Sequence, residues 1–224
     1  EIAVSTRKWA NLNPMAYFYD KTTSFDDYHD SRWVAWPFHL LDCCLATDAG
    51  AAIVITTPER ARDAKNGSVT ILGAGEGHDH SMISQMPDLT RAFGRNTGPQ
   101  AIEMAGVSHS DLDLAMIYDS FSITVLTILE DLGFCAKGEG GAWVEGGRLR
   151  FDRPDEGPAL NTDGGGLSSN HPGMRGIFLL IEATRQLRGE SCSQVANAKL
   201  AVAHGNGGML GSRHCAGTVI LAGE

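Results

Sequence analysis

The sequence predicts an α/β fold, on two observations: short apolar runs alternate with segments of helical period, and polar or glycine-rich turns follow several of those runs. Residues 9–39 are rich in aromatic and polar side chains without sustained period, so they read as a loop-dominated segment with at most short helices. The continuous apolar run at 51–55 has the pattern of a strand buried on both faces of a central sheet. Pro58, Glu59 and Arg60 open a short helix, and Asn66-Gly67 makes a turn before a strand over 69–72. A domain boundary near residue 65 divides the chain into 1–64 and 65–224. A helix is expected over 98–105, ended by Gly106, then a strand over 112–117 and a helix over 121–132 stopped by Gly133. Residues 142–151 read as a hairpin turning at Gly146-Gly147. After the loop at 153–158 come a short strand ending at Thr162 and a glycine-rich run over 163–167. A helix follows over 172–187, with Ile177, Leu180, Ile181 and Leu187 on its inner face. A strand over 199–203, a second glycine-rich turn and a strand over 215–221 complete the order.

A chain of 224 residues, 42% hydrophobic, is long enough to bury a substantial core. The formal charge of −9 offers no basic face for phosphates, so nucleic acid is not an expected partner. No apolar run reaches the roughly 18 to 20 residues that span a bilayer, and no signal peptide opens the chain. A cytoplasmic protein is the expectation. The five cysteines are irregularly spaced without a CxxC pair, which argues against a disulfide framework or zinc site and for small buried hydrophobes. The chain begins at Glu1 without an initiator methionine, as a fragment or processed piece would.

Three blocks follow strand-like runs: YDSFS at 118–122, GGGLSSNHPGMRG at 164–176 and AHGNGGML at 203–210. Ligands of open α/β sheets bind at strand ends, so the three turns are expected to converge on one pocket. His171, with Pro172 at the first helical position, would sit near a positive helix end that keeps its imidazole neutral and able to donate to an oxyanion. A capping histidine beside a tight turn is the equal alternative. His204 precedes Gly205, Asn206, Gly207 and Gly208, where bare backbone N–H groups could approach a ligand oxygen, although a plain glycine turn would look the same. The Tyr118 hydroxyl could donate into the pocket or act as acid/base, but a tyrosine anchoring a strand end is commoner. His78 and His80 form an HxH pair without a clear further ligand, which favours a solvated or pocket-rim loop and no metal. GAGEG at 73–77 lacks dinucleotide spacing.

The order and spacing of these blocks resemble the C-terminal half of thiolases, the sterol-carrier and lipid-transfer branch more than the biosynthetic one. There the corresponding turns read Asn-Glu-Ala-Phe, Gly-His-Pro and Cys-x-Gly-Gly-Gly. Here they stand as Tyr118-Asp119-Ser120-Phe121, Asn170-His171-Pro172 and His204-Gly205-Asn206-Gly207-Gly208. The resemblance implies a thiolase-like C-terminal half, a mixed five-stranded sheet with helices on its faces, preceded by the end of an N-terminal half. It implies that His171 binds the thioester oxygen, that Tyr118 replaces the asparagine holding an oxyanion-hole water, and that His204 replaces the proton-shuttling cysteine. Gly207 and Gly208 would be oxyanion donors, and Cys44 would stand where a serine contacts CoA.

By the same resemblance the nucleophilic cysteine belongs to the N-terminal half, and none of the five cysteines here stands in its motif. The first expectation is therefore an acyltransferase acting on carbon–carbon bonds next to a CoA thioester, its nucleophile supplied by that other half. The alternatives are a retro-aldolase cleaving a β-hydroxyacyl-CoA, as in steroid side-chain degradation, and a non-catalytic acyl-CoA or lipid carrier. No cofactor is expected beyond CoA as part of the substrate. A homodimer through the N-terminal half and a small zinc-ribbon/OB-fold partner protein complete what the resemblance implies.

Overall fold

A computed structural model describes residues 1–152 and 157–223. The early segment is helix α1 (Ile2–Ala10), turns, helix α2 (Phe25–Asp30), the short strands β1 (Trp33–Ala35) and β2 (Phe38–His39), and helix α3 (Pro58–Ala61). It matches the loop-dominated expectation. Ser24 caps α2 by accepting from the Asp27 N–H while Asp27 accepts from the Ser24 N–H, a closed capping box.

The run at 51–55 forms no strand. It has no regular secondary structure and no strand partner, with Val54 91% and Ile55 73% exposed. An apolar run records a demand for burial but supplies no partner, and no described strand lies alongside this one.

The main sheet has the order β3-β7-β6-β4-β5, from β3 (Thr70–His78), β4 (Leu114–Ile117), β5 (Ala159–Leu160), β6 (Leu200–Gly207) and β7 (Cys215–Ala222). It is mixed: β3 and β6 run antiparallel to β7, while β4 runs parallel to β5 and β6. Every β4 residue is buried, as a central parallel strand requires. One face, with Ala115, Ile117, Val202 and Ile220, packs against helices α4 (Gly94–Ala105) and α5 (Ser122–Leu132). The other, with Leu114, Met116, Ala201, Ala203 and Leu221, packs against helix α7 (Gly176–Leu187).

GAGEG is part of β3, and its alternate glycines allow a close approach of α4. A Cβ at Gly73 would strike the Ala101 carbonyl, one at Gly75 the Thr97 carbonyl, and one at Gly77 the Phe93 ring. Helix α4 starts a turn earlier than expected and carries Pro99 inside it, at the loss of one N–H bond. The expected hairpin at 142–151 is instead helix α6 (Gly140–Val144) followed by a 3₁₀ turn over Glu145–Gly147. That geometry sends both Val144 and Leu149 into the core on the α4/α5 face, whereas a local turn signal carries no information on such packing. Among the described residues no helix is long and apolar enough to cross a membrane.

Candidate functional site

The site forms at the C-terminal end of β4. Asn161, at φ 45°, extends that strand's pairing with its side chain, accepting from the Ile117 N–H and donating to the Ile117 carbonyl, both at 2.8 Å. Tyr118 follows on the α7 face, its backbone N–H donating to the His204 carbonyl at 2.9 Å. Its hydroxyl lies 2.8 Å from His171 Nε2, with ring centroids 5.4 Å apart. Both side chains are half-buried. Burial, helped by Cys44 and Asp119, pushes the Tyr118 phenol above its usual range, so it stays protonated near neutral pH. Burial and then the Arg175 charge hold the His171 imidazole below its usual range, so it stays neutral. A neutral imidazole against a protonated phenol can pass one proton in either direction.

His171 reaches this position without a helix terminus. Helix α7 begins at Gly176, four residues later than expected, so Pro172 is not its first residue and the helix end does not set the imidazole's charge. Ile177, Leu180 and Ile181 are only half-buried; the inner face is Leu179, Glu182, Ala183, Gln186 and Leu187. Instead His171 follows a π-helical turn over Gly165–Ser169, and its N–H donates to Thr47 Oγ1 at 2.9 Å.

A buried ionic network fixes that turn. Asp119, fully buried, accepts from the Gly166 N–H at 2.7 Å and the Leu167 N–H at 3.2 Å. Arg175, also fully buried, forks onto Asp163 at 2.7 and 2.6 Å, donates to the Asn170 carbonyl at 3.0 Å and passes Asp119 Oδ1 at 3.4 Å. Burial pushes the Asp119 carboxyl up to about 6 against the opposing pull of Arg175 and the two N–H groups. Sequence reasoning missed Thr47, Asp119, Asp163 and Arg175. The available signal was charge inside glycine-rich strand-end turns, where a carboxylate or guanidinium needs a buried partner.

His204 does not join Tyr118 and His171. The register pairs Met116 with Ala203 and Ile117 with His204, so Gly205 is the β6 residue level with Tyr118 and on its face. His204 points through the opposite face, where Gly94 of α4 covers it; a Cβ on Gly94 would lie 3.2 Å from His204 Cε1. Its Nδ1 pairs with Thr218 Oγ1 at 2.8 Å, which meets Thr97 Oγ1 at 2.8 Å, and its Nε2 has no partner. Burial and then His214 depress its pKa to about 3, so it is uncharged at any working pH. The expected convergence of three side chains is thus corrected to two, with a glycine where the third was placed.

Gly207 ends β6, and Gly208, at φ +61°, opens the hairpin turn, where a Cβ would collide with the Ser212 carbonyl. The Phe93 N–H donates to His214 Nε2 at 2.9 Å, leaving Nδ1 to donate to the Gly207 carbonyl at 2.8 Å. Cys44 lies in the chain running over the site, its N–H donating to the Ser120 carbonyl at 3.0 Å. Burial, Asp119 and Cys43 raise its thiol pKa, so it carries no thiolate. His80 is buried against the His214 ring at 5.3 Å, not solvated as expected.

Comparison with known proteins agrees with this architecture. The family described as "Thiolase C-terminal domain-like" matches residues 75–222. A 17-hydroxy-3-oxo-4-pregnene-20-carboxyl-CoA lyase of Mycobacterium tuberculosis is 40% identical over 88% of this chain and 51% of its own length. An acetyl-CoA acetyltransferase of Methanothermobacter thermautotrophicus is 34% identical over 94% of this chain and 55% of its own. Among solved structures, an Ltp2-ChsH2(DUF35) aldolase superposes with a TM-score of 0.88 at 32% identity, over 99% of this chain and 57% of that one. The chain spans about half the length of the curated relatives it matches. With its mixed five-stranded sheet and this match over residues 75–222, the chain belongs to the thiolase C-terminal domain-like family.

Proposed function

We propose that this chain is the C-terminal part of a carbon–carbon lyase that cleaves β-hydroxyacyl thioesters of CoA by a retro-aldol reaction. The observation that carries the reading is the Tyr118–His171 contact at 2.8 Å, with Gly205 in place of a reactive side chain on the neighbouring strand. The substrate's β-hydroxyl proton passes to the Tyr118 oxygen as the phenol proton moves to His171 Nε2. The oxygen's electrons form the new carbonyl, the Cα–Cβ bond breaks, and its pair leaves as the thioester enolate. The pair returns the proton to Cα, so one β-hydroxyacyl thioester gives one ketone or aldehyde and one shorter acyl thioester. Nothing is oxidised, and no cofactor is needed beyond the CoA of the substrate. In this reading the N–H groups of Gly207 and Gly208 face the thioester oxygen, and the backbone around Cys44 contacts CoA.

Support comes from the 40% identity to a protein named as a CoA-thioester lyase and from the likeness to an aldolase named for two components, Ltp2 and ChsH2(DUF35). A small partner of zinc-ribbon/OB-fold type and a homodimer through residues preceding this chain belong to the same proposal. The acyltransferase reading is favoured by the 34% identity to an acetyl-CoA acetyltransferase, and it needs a nucleophilic cysteine outside these residues. The carrier reading leaves the acid/base pair without a use.

The test is product analysis by mass spectrometry with the full-length protein, offered a β-hydroxyacyl-CoA without free CoA. Release of a carbonyl compound and a shorter acyl-CoA is expected. Turnover of 3-oxoacyl-CoA that requires free CoA and passes through an acylated cysteine, with no cleavage of the hydroxyacyl substrate, overturns the lyase.

A further inference from the structure

We propose that Asp119 is a positioning residue whose ionised carboxylate holds Tyr118 and His171 in register, the pair slackening when that charge is lost. The proposal rests on the reading of Tyr118 and His171 as the acid/base pair. Asp119 is the residue after Tyr118, so it is bound covalently to one member. Through its 2.7 and 3.2 Å bonds to the Gly166 and Leu167 N–H groups it also grips the turn that delivers the other. A Cβ on Gly166 would stand 3.0 Å from both Asp119 Oδ1 and His171 Cδ2, so this turn threads directly between the carboxylate and the imidazole. Arg175 holds the far end of the turn at the Asn170 carbonyl, at 3.0 Å. Carboxylate and guanidinium therefore grip the turn at both ends, and His171 is the next residue.

The charge on Asp119 matters because bonds to an ionised acceptor are about twice as strong as neutral ones. The groups facing it are Arg175 from the entrance of α7, Asp163 from the glycine-rich run, Cys44 from the overlying chain, and its neighbour Tyr118. Of these groups only Arg175 favours ionisation, alongside the N–H groups of Gly166 and Leu167. Glu182, on α7, competes for the same guanidinium charge. Three carboxyls thus share one arginine, and burial, with a smaller push from the Asp163 charge, lifts Asp119 to about 6. The clamp is complete above that value and weakens below it.

The full-length protein, labelled with ¹³C at the tyrosine ring, tests this by NMR. The Tyr118 phenol titrates above its usual range, so any inflection of its signal near pH 6 reports a neighbour. The proposal expects such an inflection in the wild type, its survival in His171→Ala and its loss in Asp119→Asn. Absence of the inflection, or its loss in His171→Ala, overturns the proposal. If Asp119→Asn does not fold, the wild type and His171→Ala alone decide. In turnover, Asp119→Asn should lower kcat at least about tenfold with KM within about twofold, and abolish the acid limb. Asp119→Glu should restore part of kcat; an Asn variant with wild-type kcat and acid limb overturns the role. Failure of the lyase reading leaves the NMR result intact, so the two are separable.

Discussion

Tyr118→Phe removes one oxygen and separates two uses of that oxygen by magnitude. If the hydroxyl only orients His171, its contact is an ordinary hydrogen bond, worth about 0.5–1.5 kcal/mol net. At 1.36 kcal/mol per tenfold, such a loss lowers turnover by about 2- to 13-fold. If the hydroxyl carries the substrate's proton, its removal costs about 10²- to 10⁴-fold, the usual range for a positioned acid/base group. The structure favours the larger figure: the phenol lies 2.8 Å from Nε2, is half-buried, and is kept protonated by burial while His171 is kept neutral. The assay is steady-state kcat of the full-length protein on a β-hydroxyacyl thioester of CoA that it is found to cleave, with thermal unfolding as a control. Stability should change by no more than about 1 kcal/mol, because the lost bond is part-exposed. A variant retaining more than about a tenth of wild-type kcat would refute proton transfer through Tyr118.

Two further predictions concern β6. His204 takes up a proton at about 3 in the folded chain against 6.5 when unfolded, so the unfolded state binds more protons between those values. Its stability contribution is full above pH 6.5 and is lost as pH falls toward 3. Between about pH 7.5 and 5 this group alone should cost the wild type about 2 kcal/mol that His204→Gln does not lose, read from denaturant midpoints at the two pH values. Equal losses in both proteins would mean that His204 is not buried neutral. Gly205→Ala should leave stability within about 1 kcal/mol, since its Cβ meets only Gly176 Cα at 3.6 Å, whereas Gly208→Ala should cost at least about 2 kcal/mol through its left-handed backbone and the Ser212 carbonyl. Equal melting temperatures for the two variants would contradict this assignment of the turn.

The sequence disclosed the helices that carry their own punctuation. Helix α5 ends at Gly133 and α4 at Gly106, both in the left-handed conformation, and those glycines marked both ends in advance. Strand β3 was located but shortened: it runs to His78 through GAGEG, because glycines that admit a neighbouring helix look in sequence like a loop. The strand at 51–55 failed because pairing depends on a partner strand that local pattern cannot supply, and the hairpin at 142–151 because Val144 and Leu149 reach the core from a helix and a turn. At the site, Tyr118 and His171 were legible as strand-end polar residues. The Asp119, Arg175 and Asp163 network that holds them was not, since its members are 12 to 56 residues apart and only the fold makes them neighbours.

The parity of β6 bears most directly on the chemistry. Aligning the third block by its glycines puts His204 at the reactive position, and a one-residue step puts Gly205 there instead. In a strand that step exchanges faces, so the two alignments differ by the thickness of the sheet, not by a small displacement. The side-chain evidence agrees with the second: Ala201 and Ala203 pack toward α7, Val202 packs toward α4 and α5, and His204 shares Val202's side, bonded to Thr218. A Claisen condensation or its reverse needs a group here to move the α-proton separately from the nucleophile. With glycine at this position, the described residues offer the Tyr118–His171 pair for that proton. A single pair suffices for retro-aldol cleavage, in which the proton taken from the hydroxyl is the one returned to Cα.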